Sequence, residues 1–335
     1  PDLTSGADRR PTVLAIDVGG TKLAAGLVDG NGRLVEQHQT ATVDPARSGS
    51  ASPGTDQTGG QTGGQTGGQT ADDTFEALWS IVEPLIDRAD AVGVGCGGPM
   101  VGGPTDRRMS PLHIPAWDGL PLAGLLAERT GLEVAVDNDA KALALGEGWC
   151  GAAAGHRNFL AMVVSTGVGG GIVLDGRLLD GATDNAGHIG HLVVDPDGPE
   201  CACGSRGCLE AVASGTAISL ATGSPAAEAD DGVRRRVGSM VGRGVADVVN
   251  LLDLPLAVVA GSVALGFGAP FFEAAEDSLR ERCGLAFTHG ARIVPAGLGS
   301  DGPLVGAAAV WHHHRGGGVL AGGSPTRSPV GEDRT

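Results

Sequence analysis

One plan occurs twice in this chain: strand, glycine-rich turn, strand, tight turn, strand. In the first copy, residues 12–16 read as a buried strand and Asp17-Val18-Gly19-Gly20-Thr21-Lys22 as a turn. Residues 23–28 then form a second strand, Asp29-Gly30-Asn31-Gly32 a hairpin turn and residues 33–40 a third strand. The second copy has a strand at 159–164, the glycine-rich stretch 165–171, a strand at 172–174, a turn at Asp175-Gly176 and a further extended piece. Such self-similarity is the mark of an internal duplication. It predicts two α/β halves, each opening on a β-meander. A glycine-rich turn exposes backbone N–H groups that phosphate oxygens can approach closely. Two such turns, one in each half, predict a nucleoside triphosphate held between two jaws.

The remaining pattern alternates helix and strand. Helices are expected at 72–89, 138–149, 239–252, 269–283 and 302–314, and strands at 91–95, 133–136, 256–260 and 291–294. Residues 57–70 repeat Gln-Thr-Gly-Gly and end in Gln-Thr, a low-complexity loop and not a fold element. The expected organisation has a disordered N-terminus at 1–10 and an N-terminal α/β domain at 11–137, carrying a low-complexity loop at 48–71. A larger C-terminal α/β domain follows at 138–301 with a metal loop at 191–208, then a terminal helix at 302–314 and a flexible tail at 315–335.

Composition narrows the function. With 335 residues there is length for about two domains. The net charge of -16 argues against nucleic acid and anionic membranes, which attract Lys and Arg. No signal-like segment opens the sequence and no apolar run reaches the length of a membrane span, so a cytoplasmic protein is expected. Of six cysteines, Cys96, Cys150 and Cys283 are scattered and read as small buried hydrophobes.

The other three cysteines are clustered. His191, nine further residues, and then Cys201-x-Cys203-x₄-Cys208 place four metal-ligand side chains in one short loop. Zinc takes four N/S ligands in a closed tetrahedron when its role is structural. The same stretch holds His188 and Glu210, which zinc does not need and which point to an active site.

Three other motifs carry chemistry or its imitation. Asp17 to Lys22 lacks the G-x₄-G-K-[ST] spacing of a P-loop and joins two strands, so it is a phosphate turn of another kind or a plain hairpin. Gly93-Val-Gly-Cys-Gly-Gly98 fits G-x-G-x-x-G, but Pro99, Gly102, Gly103 and Pro104 follow, and no helix opens there to receive a pyrophosphate. Asp137-Asn138-Asp139 ends a strand and begins a helix. Capping accounts for one of the three. A carboxylate at the C-terminal end of a strand, in the cleft of an α/β sheet, stands where ligands bind and could take a proton from a hydroxyl. His312-His313-His314 reads as a solvated helix end.

Together, Asp17–Lys22, Val136–Asp139, Ser165–Gly171 and the His191/Cys201/Cys203/Cys208 loop resemble the ROK family of sugar kinases, over about 11–314. That resemblance implies an actin-like ATPase (ribonuclease H-like) fold with ATP and Mg²⁺ in the cleft, and phosphorylation of a sugar hydroxyl, usually O6. It implies that Asp139 is the catalytic base and that Asn138, His188, His191, Glu210, His113 and Gly98 surround the sugar. Asp17, Gly19, Gly20, Thr21 and Lys22, with Thr166, Gly167, Gly169 and Gly170, would hold phosphates. Gly261 and Ser262 would lie near the adenosine, Asp17 near Mg²⁺, and Zn²⁺ would be structural. It further implies a terminal helix packed on the N-terminal domain and a homodimer or homotetramer.

Two positions depart from the glucokinase pattern. His188 stands where those enzymes have Glu in Glu-x-Gly-His, and His113 where Asn is common. A carboxylate accepts hydrogen bonds from two hydroxyls, whereas a neutral imidazole offers one donor and one acceptor. The first change is similar to the Gly-His-Ile-Gly-His of bacterial N-acetylmannosamine kinases, so that sugar is the leading expectation and glucose the alternative. A sugar-responsive repressor is the alternative of another class. Sixteen residues precede Asp17, fewer than a helix-turn-helix domain needs, and the acidic charge disfavours DNA. A non-catalytic sugar-binding protein is the third.

Overall fold

Aliphatic, β-branched runs build the strands at the centre of two five-stranded sheets. The computed structural model describes residues 10–42, 66–101, 108–109, 114, 117–316 and 319–320, with backbone alone at 66–71. The first sheet comprises β1 (Val13–Val18), β2 (Lys22–Val28), β3 (Leu34–Ala41), β4 (Ala91–Cys96) and β7 (Val134–Asn138), in the order β3-β2-β1-β4-β7. β1 to β3 pair antiparallel, while β1, β4 and β7 run parallel. β4 is buried along its whole length, as parallel strands covered on both faces must be. At the edge, β3 alternates between half-buried and exposed residues. Two short strands, β5 (Met100–Val101) and β6 (Arg108–Met109), pair antiparallel as a separate ribbon.

The second sheet repeats that topology. β8 (Phe159–Val164), β9 (Val168–Leu174), β10 (Arg177–Leu178), β11 (Leu256–Ala260) and β12 (Arg292–Pro295) lie in the order β10-β9-β8-β11-β12. Again the first three pair antiparallel and the last two continue parallel. The duplication read from the sequence is therefore structural.

Between the sheets lie α3 (Asp139–Cys150) and α9 (Gly302–His314). Each follows the last strand of its own half and packs against the other half's sheet: α3 on β8 and β9, α9 on β4 and β1. Strand alternation sorts the core accordingly. Val13, Ala15, Phe159 and Ala161 face this middle layer. Leu14 and Ile16 face outward, into the cluster that α1 (Thr66–Val82) and α2 (Leu122–Thr130) complete with Leu78 and Leu126. Leu160 and Met162 meet α6 (Asp231–Leu252) and α8 (Ala269–Arg282). The shorter helices α4 (Leu209–Ala213), α5 (Gly215–Thr222) and α7 (Ser262–Phe267) border the second sheet near its turns.

The central helices touch backbone to backbone. A methyl group on Gly306 would sit 2.6 Å from the Ala142 carbonyl oxygen, and one on Gly146 would sit 2.9 Å from the Gly306 Cα. Neither backbone can yield without separating the helices. Gly306→Ala is expected to lower stability by about 1–3 kcal/mol through overpacking. An unchanged urea midpoint for that variant would contradict the close crossing.

Several sequence expectations need correction. α1 begins at Thr66, inside the repeat read as a loop, because extending a packed helix adds one hydrogen bond per residue even through poor helix formers. At its other end α1 stops at Val82 and Pro84 opens a 3₁₀ turn, where one helix to 89 was expected. The second glycine-rich turn is shorter than it reads: β9 starts at Val168, so Gly169 and Gly170 are strand residues, and Asp17 and Val18 are likewise the last residues of β1. Helix α6 runs two turns further toward its N-terminus, where the Asp230 carboxylate caps it by accepting from Val233 N. Cys150 is exposed, whereas Cys96 and Cys283 are buried as expected. The histidines ending α9 are not simply solvated. His312 packs 4.9 Å, ring to ring, from Trp149, and His314 Nε2 lies 3.9 Å from Asp137 Oδ2. α2, α4, α5 and α7 carry no strong periodic signal and were not expected. His113, the expected N-terminal segment 1–9, most of the low-complexity loop and the tail beyond 320 fall outside the described residues.

Candidate active site

The C-terminal ends of β1, β4, β7, β8 and β11 open onto one cavity of about 600 Å³ between the two sheets. Ligands bind at such strand ends because side chains and bare backbone N–H groups converge there. From the first half, Asp17, Gly19, Gly20, Thr21, Lys22, Gly98, Asn138 and Asp139 line it. From the second come Thr166, Gly167, Gly169, Gly170, His188, His191, Glu210, Gly261 and Ser262. Every sugar- and phosphate-binding residue expected from the sequence and described in the structure therefore reaches one cavity, while Cys201, Cys203 and Cys208 lie outside its lining.

Each turn is held by its neighbours. Gly19 N donates to the Lys22 carbonyl at 3.0 Å, and Thr42 Oγ1 donates to the Gly19 carbonyl at 2.8 Å, closing the first turn tightly. The second turn rests on α5: Gly215 N donates to the Ser165 carbonyl at 2.7 Å and Thr216 Oγ1 to the Thr166 carbonyl at 3.0 Å. Ser165 Oγ and Ser262 Oγ share a hydrogen bond of 2.9 Å, joining that turn to the end of β11. Gly261 has φ 99°, a conformation that favours glycine, and a methyl group there would strike the Val164 backbone.

The Asp137-Asn138-Asp139 cluster divides its labour. Asn138 is the cap of α3: its Oδ1 accepts from Ala140 N at 3.0 Å and Lys141 N at 3.4 Å. Asp137 is buried at 2% exposure with its Oδ1 3.2 Å from Lys141 Nζ. Asp139, whose Oδ1 accepts from Ala140 N at 2.8 Å, lines the cavity. Burial first, and then the Asp139 carboxylate, push the Asp17 carboxyl up to about 7, against the pull of Lys22. Two carboxyls so placed suit a divalent cation, which replaces their repulsion with attraction.

In the cavity wall, Glu210 Oε2 accepts from Val168 N at 2.9 Å, tying α4 to the start of β9. The His188 and His191 rings stack 6.1 Å apart. Burial, and then His191, lower the His188 pKa, while Asp139 and Glu210 act in the opposite sense.

His191, Cys201, Cys203 and Cys208 converge: their ligand atoms lie within 4.8 Å of one another. His191 Nδ1 is 3.7 Å from Cys201 Sγ, and Cys203 Sγ is 3.7 Å from Cys208 Sγ. With Zn–S bonds of about 2.3 Å, a tetrahedron has edges of about 3.8 Å. The donor set and spacing therefore fit zinc. The Ser205 backbone N–H, followed by Cys201, pulls the Cys203 thiol down to about 6, toward the thiolate that binds metal. Burial pushes the neighbouring Cys208 thiol up to about 12.

The ROK family profile matches residues 13–314. The chain belongs to the ROK family. A ROK relative, the glucokinase of Thermotoga maritima, is 31% identical over 91% of this chain and 98% of its own length. The N-acetylmannosamine kinase of Salmonella arizonae is 36% identical over 77% of this chain and 85% of its own. Among solved structures, a ROK glucokinase from Streptomyces griseus in complex with glucose and AMPPNP superposes with a TM-score of 0.70. It is 29% identical and covers 89% of this chain and 98% of that one. The fold class is that of the ROK sugar kinases, the actin-like ATPase fold.

The cavity also gathers residues the sequence did not single out. Leu143 projects from α3, Leu265 from α7, Pro303 from the first turn of α9, and Ser300 from the 3₁₀ turn just before it. Their segments are ordinary loop and helix by pattern. No local signal could have found them, because only the crossing of α3 and α9 brings the 299–303 segment to the cleft.

Proposed function

We propose that this chain is an ATP-dependent sugar kinase, transferring the γ-phosphoryl group to the 6-hydroxyl of a hexose or hexosamine. One observation carries the reading. Two glycine-rich turns, one from each half, face the same cavity as a carboxylate at a strand end. Phosphoryl transfer needs alignment and charge neutralisation more than covalent chemistry. The turns at 19–22 and 165–167 supply backbone donors for phosphates, with Gly169 and Gly170 beside them, and Gly261 and Ser262 border the adenosine. Asp139 orients the sugar hydroxyl and takes its proton as the oxygen–phosphorus bond forms and the bond to the β-phosphate oxygen breaks, releasing ADP. Asn138, His188, His191, Glu210 and Gly98 enclose the sugar. Asp17 would hold Mg²⁺, which when bound neutralises phosphate charge. The four N/S ligands would hold a structural Zn²⁺. The division into domains at 11–137 and 138–301, closed by the terminal helix, belongs to the same proposal.

N-acetylmannosamine is the leading substrate. His188 occupies the cavity where a carboxylate would otherwise accept two hydroxyls, and the Salmonella arizonae relative bears that activity in its name. Glucose is the alternative, supported by the Thermotoga maritima relative and the glucose-bound Streptomyces griseus structure. A panel of sugars assayed with ATP and with polyphosphate decides. The expected outcome is ATP-dependent phosphorylation of N-acetylmannosamine with kcat/KM at least about tenfold above glucose, a difference of about 1.4 kcal/mol. A preference for glucose of that size would overturn the choice of sugar. Failure of every sugar to consume ATP would overturn the kinase reading.

A further inference from the structure

Lys141 sits in the first turn of α3 with 1% of its surface exposed. A lysine ammonium removed from water persists only with charged or polar partners. Its Nζ donates to Asp180 Oδ1 at 2.7 Å and to the Asp184 carbonyl at 3.5 Å, and lies 3.2 Å from Asp137 Oδ1. Asp137 belongs to the strand end that presents Asn138 and Asp139. Asp180 and Asp184 belong to the segment that leaves β10 and reaches the cavity at Ala186, Gly187 and His188. One buried side chain therefore joins the two walls of the cleft.

A second tie holds the same segment. Asn185 Oδ1 accepts from Met100 N at 2.9 Å and its Nδ2 donates to the Met100 carbonyl at 2.9 Å, fastening the segment to β5. Within it, Ala186 N donates to the Asp180 carbonyl at 2.9 Å. Position is therefore passed from Asp180 to His188 through seven intervening residues with fixed points at both ends. Neither Lys141 nor Asp180 lines the cavity. A buried ion pair is a poor source of net stability, since desolvation offsets much of its attraction, but it fixes geometry.

We propose that Lys141 is a positioning residue: by bridging Asp137 and Asp180 it sets the His188 segment against the Asn138–Asp139 junction and so tunes the sugar side of the site. This rests on the sugar-kinase reading. Asp180→Asn is the discriminating variant, because Asp180 is 43% exposed and the buried Lys141–Asp137 pair survives the change. Hydrogen exchange at amides 181–189 in the ligand-free protein is expected to accelerate about tenfold. With N-acetylmannosamine and glucose each tested as acceptor, kcat/KM for the sugar is expected to fall about tenfold to a hundredfold, with KM for ATP within about twofold of wild type. Asp180→Glu, which keeps the charge, is expected to recover most of the loss. Lys141→Met, with its fold checked by circular dichroism, is expected to give a loss that Asp180→Asn does not deepen in the double variant. Wild-type exchange together with unchanged sugar kinetics in Asp180→Asn would overturn the proposal, as would equal losses toward sugar and ATP. If wild-type protein phosphorylates no sugar, the kinase reading fails, while the exchange experiment still decides whether the bridge holds the segment.

Discussion

Asp139→Asn is expected to leave the fold intact and reduce kcat by about 10²–10⁴-fold, a loss of about 3–5 kcal/mol of transition-state stabilisation. The amide preserves the size of the side chain and the oxygen that accepts from Ala140 N, so α3 keeps its first turn. What disappears is the ability to take a proton from the sugar hydroxyl. KM for ATP should change little, because the phosphate turns are untouched. Steady-state kinetics with the preferred sugar, beside a thermal melt, make the measurement. Turnover near wild type would remove Asp139 from the role of base and leave the cavity without its principal proton acceptor.

The second large effect is expected from the metal loop. Purified protein should carry about one zinc per chain, and Cys208→Ser should lose it. Structural zinc contributes about 10 kcal/mol or more to the folding of the segments it closes. Cys208 immediately precedes α4, whose second residue is Glu210, while His191 is at once one of the four converging donors and part of the cavity wall. Releasing the metal therefore frees two sides of the sugar site together. A fall in sugar kcat/KM of about a hundredfold or more is expected, with nucleotide binding less affected because the first phosphate turn lies in the other half. Elemental analysis and kinetics after chelation check both parts. A zinc-free protein with full activity would show that the hydrogen bonds among 194–209 hold the loop unaided.

Much of this is legible in the amino-acid sequence. The duplicated meander was readable because strand and turn signals depend on near neighbours, and the two sheets repeat one topology. The cluster of His191, Cys201, Cys203 and Cys208 was readable because its spacing brings four donors together. The functions within Asp137-Asn138-Asp139 were not. All three residues suit capping or catalysis, and the pairing of Asp137 depends on Lys141, Asp180 and His314, which come from α3, the segment after β10 and α9. The brace from Glu210 to Val168 N was equally hidden, since it spans 42 positions in sequence.

Glycine shows the same division. Its abundance marked the phosphate turns, but Gly146 and Gly306 carry no turn signal and matter because two helices cross there. Sequence by itself determined the α/β plan, the two glycine-rich turns, the His/Cys cluster and the acidic strand end, because each is encoded within one short stretch. Tertiary structure alone decided that α3 crosses to the second sheet, that Gly146 and Gly306 bring it against α9, and that a buried lysine links the cleft's walls. Those features arise from contacts between distant segments, whose partners are selected by packing and desolvation and leave no periodic trace in the chain.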